Sequence, residues 1–127
     1  LPPDGEPALN WGKNIRAIRY ADVLLKAAEG RVRYGGSEGT ARAYVNQVRV
    51  RAGVPGMSAS GTQLLEDIYN GRRMELATEG HRYFDLVRTG KIEDVFPNWD
   101  ASKHLYLPLP QNEIDASQGA LTQNPGY

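Results

Sequence analysis

Apolar residues recur along the first two thirds of the chain at intervals of three and four, the spacing of helices that bury one face. From Ile15 to Tyr34 the positions Ala17, Ala21, Leu24, Ala28 and Val32 trace one such stripe, widened by Ile18 and Leu25. Asn14 is suited to cap this helix by accepting from an orphan backbone N–H, and Gly35-Gly36 to end it. A second helix is predicted from Thr40 to Ala52, with Ala41, Tyr44, Val45, Val48 and Ala52 on its apolar face and Gly53 and Pro55 behind it. A third is predicted from Thr62 to Glu79, with Leu65, Ile68 and Leu76 on one face and Gly80 as its stop. A fourth, short and strongly apolar, runs from His81 to Thr89 through Tyr83, Phe84, Leu86 and Val87, and Gly90 ends it. The short glycine-rich link predicts that the first two helices pack as an antiparallel pair. The expected core is Leu24, Leu25, Tyr44, Val45 and Val48 with Leu65, Ile68, Leu76, Phe84 and Leu86.

After Lys91 the periodicity stops. Phe96-Pro97-Asn98-Trp99-Asp100 reads as a loop, and Leu105-Tyr106-Leu107-Pro108-Leu109-Pro110 as extended, because proline disfavours helix in the residue before it. Gln111 to Ile114 can form one helical turn with Pro110 at its first position, and Gln123-Asn124-Pro125-Gly126-Tyr127 a turn. The fold class expected is mainly α: a helical hairpin resembling a tetratricopeptide unit, two further helices, and an irregular proline-rich C-terminal tail. The organisation expected is a loop over residues 1–13, a helical core over 14–90 and an extended tail over 91–127. The opening Leu1-Pro2-Pro3-Asp4-Gly5-Glu6-Pro7 is loop-like and reads as a cut inside a longer protein. The hairpin is not repeated, and a lone unit of that kind cannot bury both of its faces.

The 127 residues suit one core. Fifteen basic residues balance fifteen acidic ones, which leaves no electrostatic footprint for nucleic acid or anionic lipid. The chain has no cysteine, so disulfides, thiolate catalysis and thiolate metal sites are excluded within it. No apolar run approaches the ~20 residues that span a bilayer.

The densest chemistry lies in Arg72-Arg73-Met74-Glu75-Leu76-Ala77-Thr78-Glu79-Gly80-His81-Arg82-Tyr83-Phe84-Asp85-Leu86-Val87-Arg88. Glu75 and Glu79 are four apart and would share a helix face, the kind of carboxylate pair a glycosidase uses as acid and base. Such a site needs one carboxyl group kept protonated. Here each carboxylate has an arginine within a helical turn, which favours ionisation of both. The pattern reads as an ion-pair network of Glu75, Glu79, Arg82, Asp85 and Arg88 pinning the third and fourth helices, with no catalytic residue. Arg72 falls in the apolar stripe of the third helix, where arginine needs a carboxylate partner. Glu75 is the local candidate, and Asp22 and Glu29 are the distant ones. Those two belong to a seam of Arg19, Asp22, Lys26, Glu29 and Arg33, which reads equally as a buried tie or a solvated face.

His81 and His104 have no second ligand at metal spacing, so no metal is expected, and no cofactor motif is present. Trp11 and Trp99 are the residues best suited to stacking on a sugar ring, and Asn98 and Asp100 flank Trp99 as hydroxyl partners. The alternative is that both tryptophans pack loops onto the helices.

Arg19-Tyr20-Ala21-Asp22-Val23-Leu24-Leu25 with Ala28-Glu29 resembles the helix that opens the C-terminal region of SusD/RagB-type glycan-binding lipoproteins, and Asn46-Gln47-Val48-Arg49-Val50-Arg51-Ala52-Gly53 the next one. Arg72-Arg73-Met74-Glu75-Leu76 and Glu79 to Arg88 resemble that family's most recognisable stretch. Leu107-Pro108-Leu109-Pro110, Glu113-Ile114 and the closing Gln123-Asn124-Pro125-Gly126-Tyr127 resemble its terminus. Two positions depart: Gly71 stands where similar sequences carry glutamate, and Thr78 where they often carry a larger apolar residue. Glycine there is expected to bend or weaken the third helix.

The resemblance implies a largely helical, surface-exposed protein of the outer membrane, lipid-anchored outside this segment. It would capture oligosaccharides for a TonB-dependent transporter. It also implies that the glycan contacts lie mainly elsewhere in such proteins, so no binding residue is carried over. A different class remains open beside it: a protein-interaction scaffold that makes no glycan contact of its own.

Overall fold

The computed structural model describes residues 17–127. Among them every regular element is helical: α1 (Tyr20–Arg33), α2 (Glu38–Arg51), α3 (Gly61–Glu75), α4 (Arg82–Thr89), α5 (Ile92–Val95), α6 (Ala101–His104) and α7 (Gln111–Ala116). The chain divides into two compact units, residues Leu1–Ala77 and Thr78–Tyr127. The fold is mainly α, and α1 with α2 forms the tetratricopeptide-like hairpin.

In the first unit α1 packs on both α2 and α3. Leu24, Leu25 and Ala28 of α1 meet Ala41, Val45 and Val48 of α2 and Leu64 and Ile68 of α3 in one buried cluster. Ala21, Val32 and Tyr44 pack half-buried against it. Leu76, just past α3, is also buried.

Several sequence expectations shift here. Helix α1 begins at Tyr20, not Ile15, and its N-cap Arg19 makes no side-chain cap bond. Ala17 is exposed and outside the helix. Asn14, Trp11 and the expected 1–13 loop lie outside the described residues. Helix α2 begins two residues early because Ser37 caps it, its hydroxyl accepting from the Thr40 N–H at 3.2 Å. In α3 it is Leu64, fully buried, that lines the core, while Leu65 is only half-buried. Positions 64, 68 and 72 step by four along one face, and Leu65 sits ~100° round from Leu64.

Helix α3 stops at Glu75 instead of Glu79. Leu76 closes it by donating to the Arg72 carbonyl at 2.9 Å. Thr78 then adopts a left-handed φ of 69°, which no helix can continue through.

Gly71 does not break α3, which runs four residues beyond it. A methyl group at Gly71 would meet nothing within 4 Å. The position is helix interior, so Gly71→Ala is expected to raise stability by ~0.5–1 kcal/mol, read as a higher denaturant midpoint at unchanged slope. A fall in midpoint would mean that the glycine has a packing role.

In the second unit Gly90 ends α4 in the left-handed conformation, and Lys91 donates to Leu86 O at 2.9 Å. Leu86 and Ile92 are buried. Phe84, expected in the core, is 69% exposed. It lies 200° from Leu86 around the helix, so once Leu86 turns inward Phe84 turns out. Its ring instead meets Tyr83 edge to face, centroids 5.7 Å apart.

The stretch 91–127, expected as an extended tail with one helical turn from Gln111 to Ile114, holds three short helices, of which α7 falls on that turn. A side-chain cap opens one of them, and a backbone carbonyl the last. The Asp100 carboxylate accepts from Ser102 N at 2.8 Å and opens α6. Pro110, the residue before α7, accepts from Glu113 and Ile114 through its carbonyl. The Leu107–Pro110 segment between them is not helical, and side chains rather than a sheet bind it. Gln123 accepts from Leu109 N at 2.8 Å and donates to Leu109 O at 2.9 Å, and Asn124 donates to Leu107 O at 2.6 Å.

Candidate functional site

The charged residues singled out by sequence fall into separate groups. The most buried is Arg72 with Asp22. Arg72 continues the Leu64–Ile68 face of α3 into the core, with only 2% of its side chain exposed, and its Nη1 lies 2.8 Å from Asp22 Oδ1. The partner is thus one of the distant candidates. The second oxygen of Asp22 accepts from Lys26 at 2.7 Å, one turn on in α1. Burial alone would raise the Asp22 pKa, but hydrogen bonds from Lys26 and Arg72, with their charges, outweigh it and hold the carboxyl below its usual range.

Glu75 forms the second group. Its carboxylate takes Arg51 Nη2 at 2.6 Å on each oxygen and Arg19 Nη2 at 3.0 Å, while Arg19 also donates to the Glu75 carbonyl at 2.9 Å. Arg19 precedes α1, Arg51 ends α2 and Glu75 ends α3. One carboxylate therefore clamps three elements, and the Arg51 cation at the end of α2 also suits that helix's dipole. Sequence reasoning missed Arg51, whose only signal is its position in the last turn of α2.

The rest of the seam is likewise a tie between helices. Glu29 is buried and pairs with Arg33 at 3.0 Å. Arg33 in turn donates to the Tyr69 hydroxyl of α3 at 2.6 Å and lies over that ring.

A further set escaped the sequence reading altogether. Glu38, Arg42, Asn46 and Arg49 run down one edge of α2, and each binds backbone of the 53–61 loop. Glu38 accepts from Gly61 N at 2.9 Å, and Arg42 donates to Ala59 O at 3.1 Å. Asn46 takes Met57 N at 2.7 Å and Arg49 donates to Pro55 O at 2.7 Å. A loop without regular structure thereby gains partners for its backbone. The spacing of 38, 42 and 46 was the available signal.

In the second unit Arg88 donates to Asp85 Oδ1 through Nε at 2.9 Å and Nη2 at 2.7 Å. Glu79 is exposed in the turn before α4, and Arg82 is exposed at its start. Glu75 and Glu79 therefore do not share a helix face, and the expected carboxylate pair does not form.

Of the sugar-stacking candidates, Trp99 is half-buried and its indole N–H is enclosed without a hydrogen-bond partner. Asn98 is exposed. The Asp100 carboxylate is occupied by Ser102, through both N and Oγ.

The first unit also carries an open groove of about 540 Å³ between α2, its following loop and α3, lined by Val45, Val48, Val54, Met57, Gly71 and Met74 among others. Its lining is predominantly apolar, with Asn70 exposed among it, and Arg49, Asp67 and Glu75 at its edge are already bonded. Among the described residues no group of three His, Asp or Glu is placed to hold a metal ion, and no helix is long and apolar enough to cross a membrane.

Chemically, this arrangement holds helices in register: Asp22 is kept below its usual range by Lys26 and Arg72, and Glu75 faces two guanidinium groups. Glu75→Gln is expected to lower stability by ~1.5–3 kcal/mol, since charge-assisted bonds to two arginines weaken together. Denaturant unfolding measures it, and a change within ~0.5 kcal/mol would mean the clamp is solvated.

Comparison with known proteins gives a consistent result. The model of the SusD family matches residues 4–99. SusD-like protein P2 of Formosa agariphila is 34% identical over 131 residues, covering 90% of this chain and 26% of that protein. Surface glycan-binding protein A from Bacteroides thetaiotaomicron superposes with a TM-score of 0.78 at 41% identity, over 93% of this chain and 26% of that one. The same protein in complex with laminarihexaose gives 0.77 at 42% identity, over 91% of this chain and 26% of that one. This chain thus spans about a quarter of the length of the proteins it matches.

Proposed function

This chain belongs to the SusD family, and on that footing we propose that it is the C-terminal part of a cell-surface protein that captures oligosaccharides and delivers them to a TonB-dependent transporter. The observation that carries the reading is the likeness, at 41% identity and across nearly all of the chain, to a surface glycan-binding protein. A relative of the same fold is known with laminarihexaose bound, which supports a glycan as the ligand class. The parent protein would be lipid-anchored at the outer membrane and face outward.

Within that protein the chain's own task is structural. Its Asp22, Arg72, Glu75, Arg19 and Arg51 side chains tie helices together, and the family's likeness to glycan-binding proteins supports a binding protein rather than an enzyme. Trp99 supports the same division of labour, because its N–H is enclosed and the neighbouring Asp100 caps a helix. The glycan would then be held mainly by other parts of the protein.

One observation favours a second reading, a protein-interaction scaffold. The face of α1 opposite the core carries Tyr20 at 70% exposure and Val23 at 45%, with Tyr34, just past the helix, at 87%. Exposed apolar stripes of this kind serve as helix-packing surfaces.

Calorimetric titration of an oligosaccharide panel, laminarihexaose included, into a SusD-family protein carrying this chain tests the proposal. Saturable heat with at least one glycan, and no new sugar products by chromatography, is expected. Absence of heat with every glycan would favour the scaffold, and accumulating shorter products would point to a hydrolase.

A further inference from the structure

The α6 turn is the junction of the second unit; backbone bonds from Lys103 and His104 to the Asp100 carbonyl form it, and one imidazole caps it from the other side. The Asp100 N–H donates to His104 Nδ1 at 2.8 Å, and the His104 N–H donates back to the Asp100 carbonyl at 2.7 Å. Three other parts of the unit meet this turn. The Tyr83 hydroxyl of α4 donates to the His104 carbonyl. The Lys103 ammonium lies 5.1 Å from the centre of the Tyr127 ring. Gly126 presses on Lys103 so closely that a Cβ there would sit 2.9 Å from Lys103 Cβ. The turn therefore links α4 to the C-terminal residues.

An imidazole nitrogen that accepts a hydrogen bond carries no proton, so His104 in this arrangement is neutral with its hydrogen on Nε2. A protonated ring has two donors and no acceptor. Its Nδ1–H would face the Asp100 N–H, donor against donor. Histidine changes charge between about pH 5 and 8, the range in which such a change can be driven without denaturing acid.

The ionisable groups of the turn and of the elements that meet it are the Asp100 carboxylate and Lys103 ammonium, the Tyr83 phenol on the His104 carbonyl, and the Tyr127 phenol against Lys103. Hydrogen bonds from the Ser102 side chain and backbone hold the Asp100 carboxyl below its usual range, so it stays charged while histidine titrates. An imidazolium is drawn to that carboxylate, where it competes with the Ser102 N–H that opens α6. Protonation thus removes one closing bond and weakens the other end of the same turn.

We propose that α6 is a pH-operated latch: neutral His104 keeps the turn closed, and protonation of its ring opens it and frees Gly126 and Tyr127 from Lys103. Mild acid would then loosen the C-terminal segment while leaving the first unit intact.

Nuclear magnetic resonance of the full chain tests this, with His104 followed through its ring nitrogens and the latch through the Asp100 amide and the contacts between Lys103 and Tyr127. The pH is lowered stepwise from about 8 to about 5, and the ring nitrogens report when the Nε2–H tautomer gives way to imidazolium. The Lys103–Tyr127 cross-peaks should fall at least threefold in step, while those of the Leu25–Val45 core stay constant. His104→Asn places a non-titrating acceptor, Oδ1, where Nδ1 stood, and should hold the cross-peaks constant across the range. Persistence of the wild-type cross-peaks through the titration of His104 would overturn the proposal. So would an equal loss in His104→Asn.

Discussion

Replacing Arg72 with methionine is expected to cost ~3–5 kcal/mol of folding stability, the largest loss among the substitutions considered. Methionine keeps the apolar stem and fills most of the space. What it removes is the guanidinium 2.8 Å from Asp22, a carboxylate whose side chain is 3% exposed. Asp22 would keep Lys26, whose side chain is 59% exposed, as its cation. A buried charge with only a solvent-exposed partner is the costly outcome, whereas a pair of surface charges would give a change near 0.5 kcal/mol.

The same pair sets a pH signature. The folded Asp22 pKa is depressed, so its stabilising contribution is complete above the unfolded value, ~3.9, and is lost as pH falls through the folded one. Wild-type stability should therefore decline on acidification below about pH 4. The deficit of Arg72→Met should be greatest near neutrality and narrow in acid, since a protonated Asp22 has no charge to strand. Denaturant midpoints of both proteins, taken across that range, read the effect. A deficit that persists or widens in acid would mean that Arg72 stabilises the fold by something other than pairing with a carboxylate.

The second large effect belongs to Leu64→Ala, at ~2–5 kcal/mol. Leu64 is fully buried between α1, α2 and α3. Leu65→Ala, at a half-buried position next to it, should cost ~1 kcal/mol. Unfolding of the two variants side by side separates the faces of α3, and the reverse ranking would rotate the helix by one residue.

Leucines 64 and 65 also mark where sequence reading reaches its limit. Periodicity established α3 and the stripe through Ile68 and Arg72. Two adjacent leucines fit that stripe almost equally, and the choice is made by Arg72 itself. Once its guanidinium must reach α1, the residues four and eight before it turn inward as well. The partner of Arg72 was open for a similar reason. Asp22 and Glu29 are seven apart, two turns along one face of α1, and spacing alone cannot rank them.

Asymmetry of this kind recurs across the chain. The hairpin was legible because its stripes are long and glycines punctuate it. Helix α6 was not, since a four-residue turn has no period and its one signal, the Asp100 cap, had been read as a sugar-binding neighbour of Trp99. Side-chain bonds to loop backbone, such as Asn46 to Met57 and Gln123 to Leu109, carry no periodic signature. The carboxylate pair failed because Thr78 in a left-handed conformation ends the helix that Glu75 and Glu79 were to share.

These residues bear on function through the same argument. The charged signature by which the family is recognised is, in this chain, a set of ties: Asp22 with Arg72, and Glu75 with Arg19 and Arg51. The groove beside α3 and the exposed face of α1 are surfaces shaped by those ties. If the proposed function holds, the chain's part in glycan capture would be to hold its helices in register.

A double-mutant cycle at Asp22 and Arg72, using Asp22→Asn, Arg72→Met and the two combined, tests that account most directly. Each single change should be strongly destabilising, and the double should recover a coupling energy above ~1.5 kcal/mol, because removing both charges leaves neither one stranded. Losses that simply add, within ~0.5 kcal/mol, would contradict it and make the pair an incidental contact.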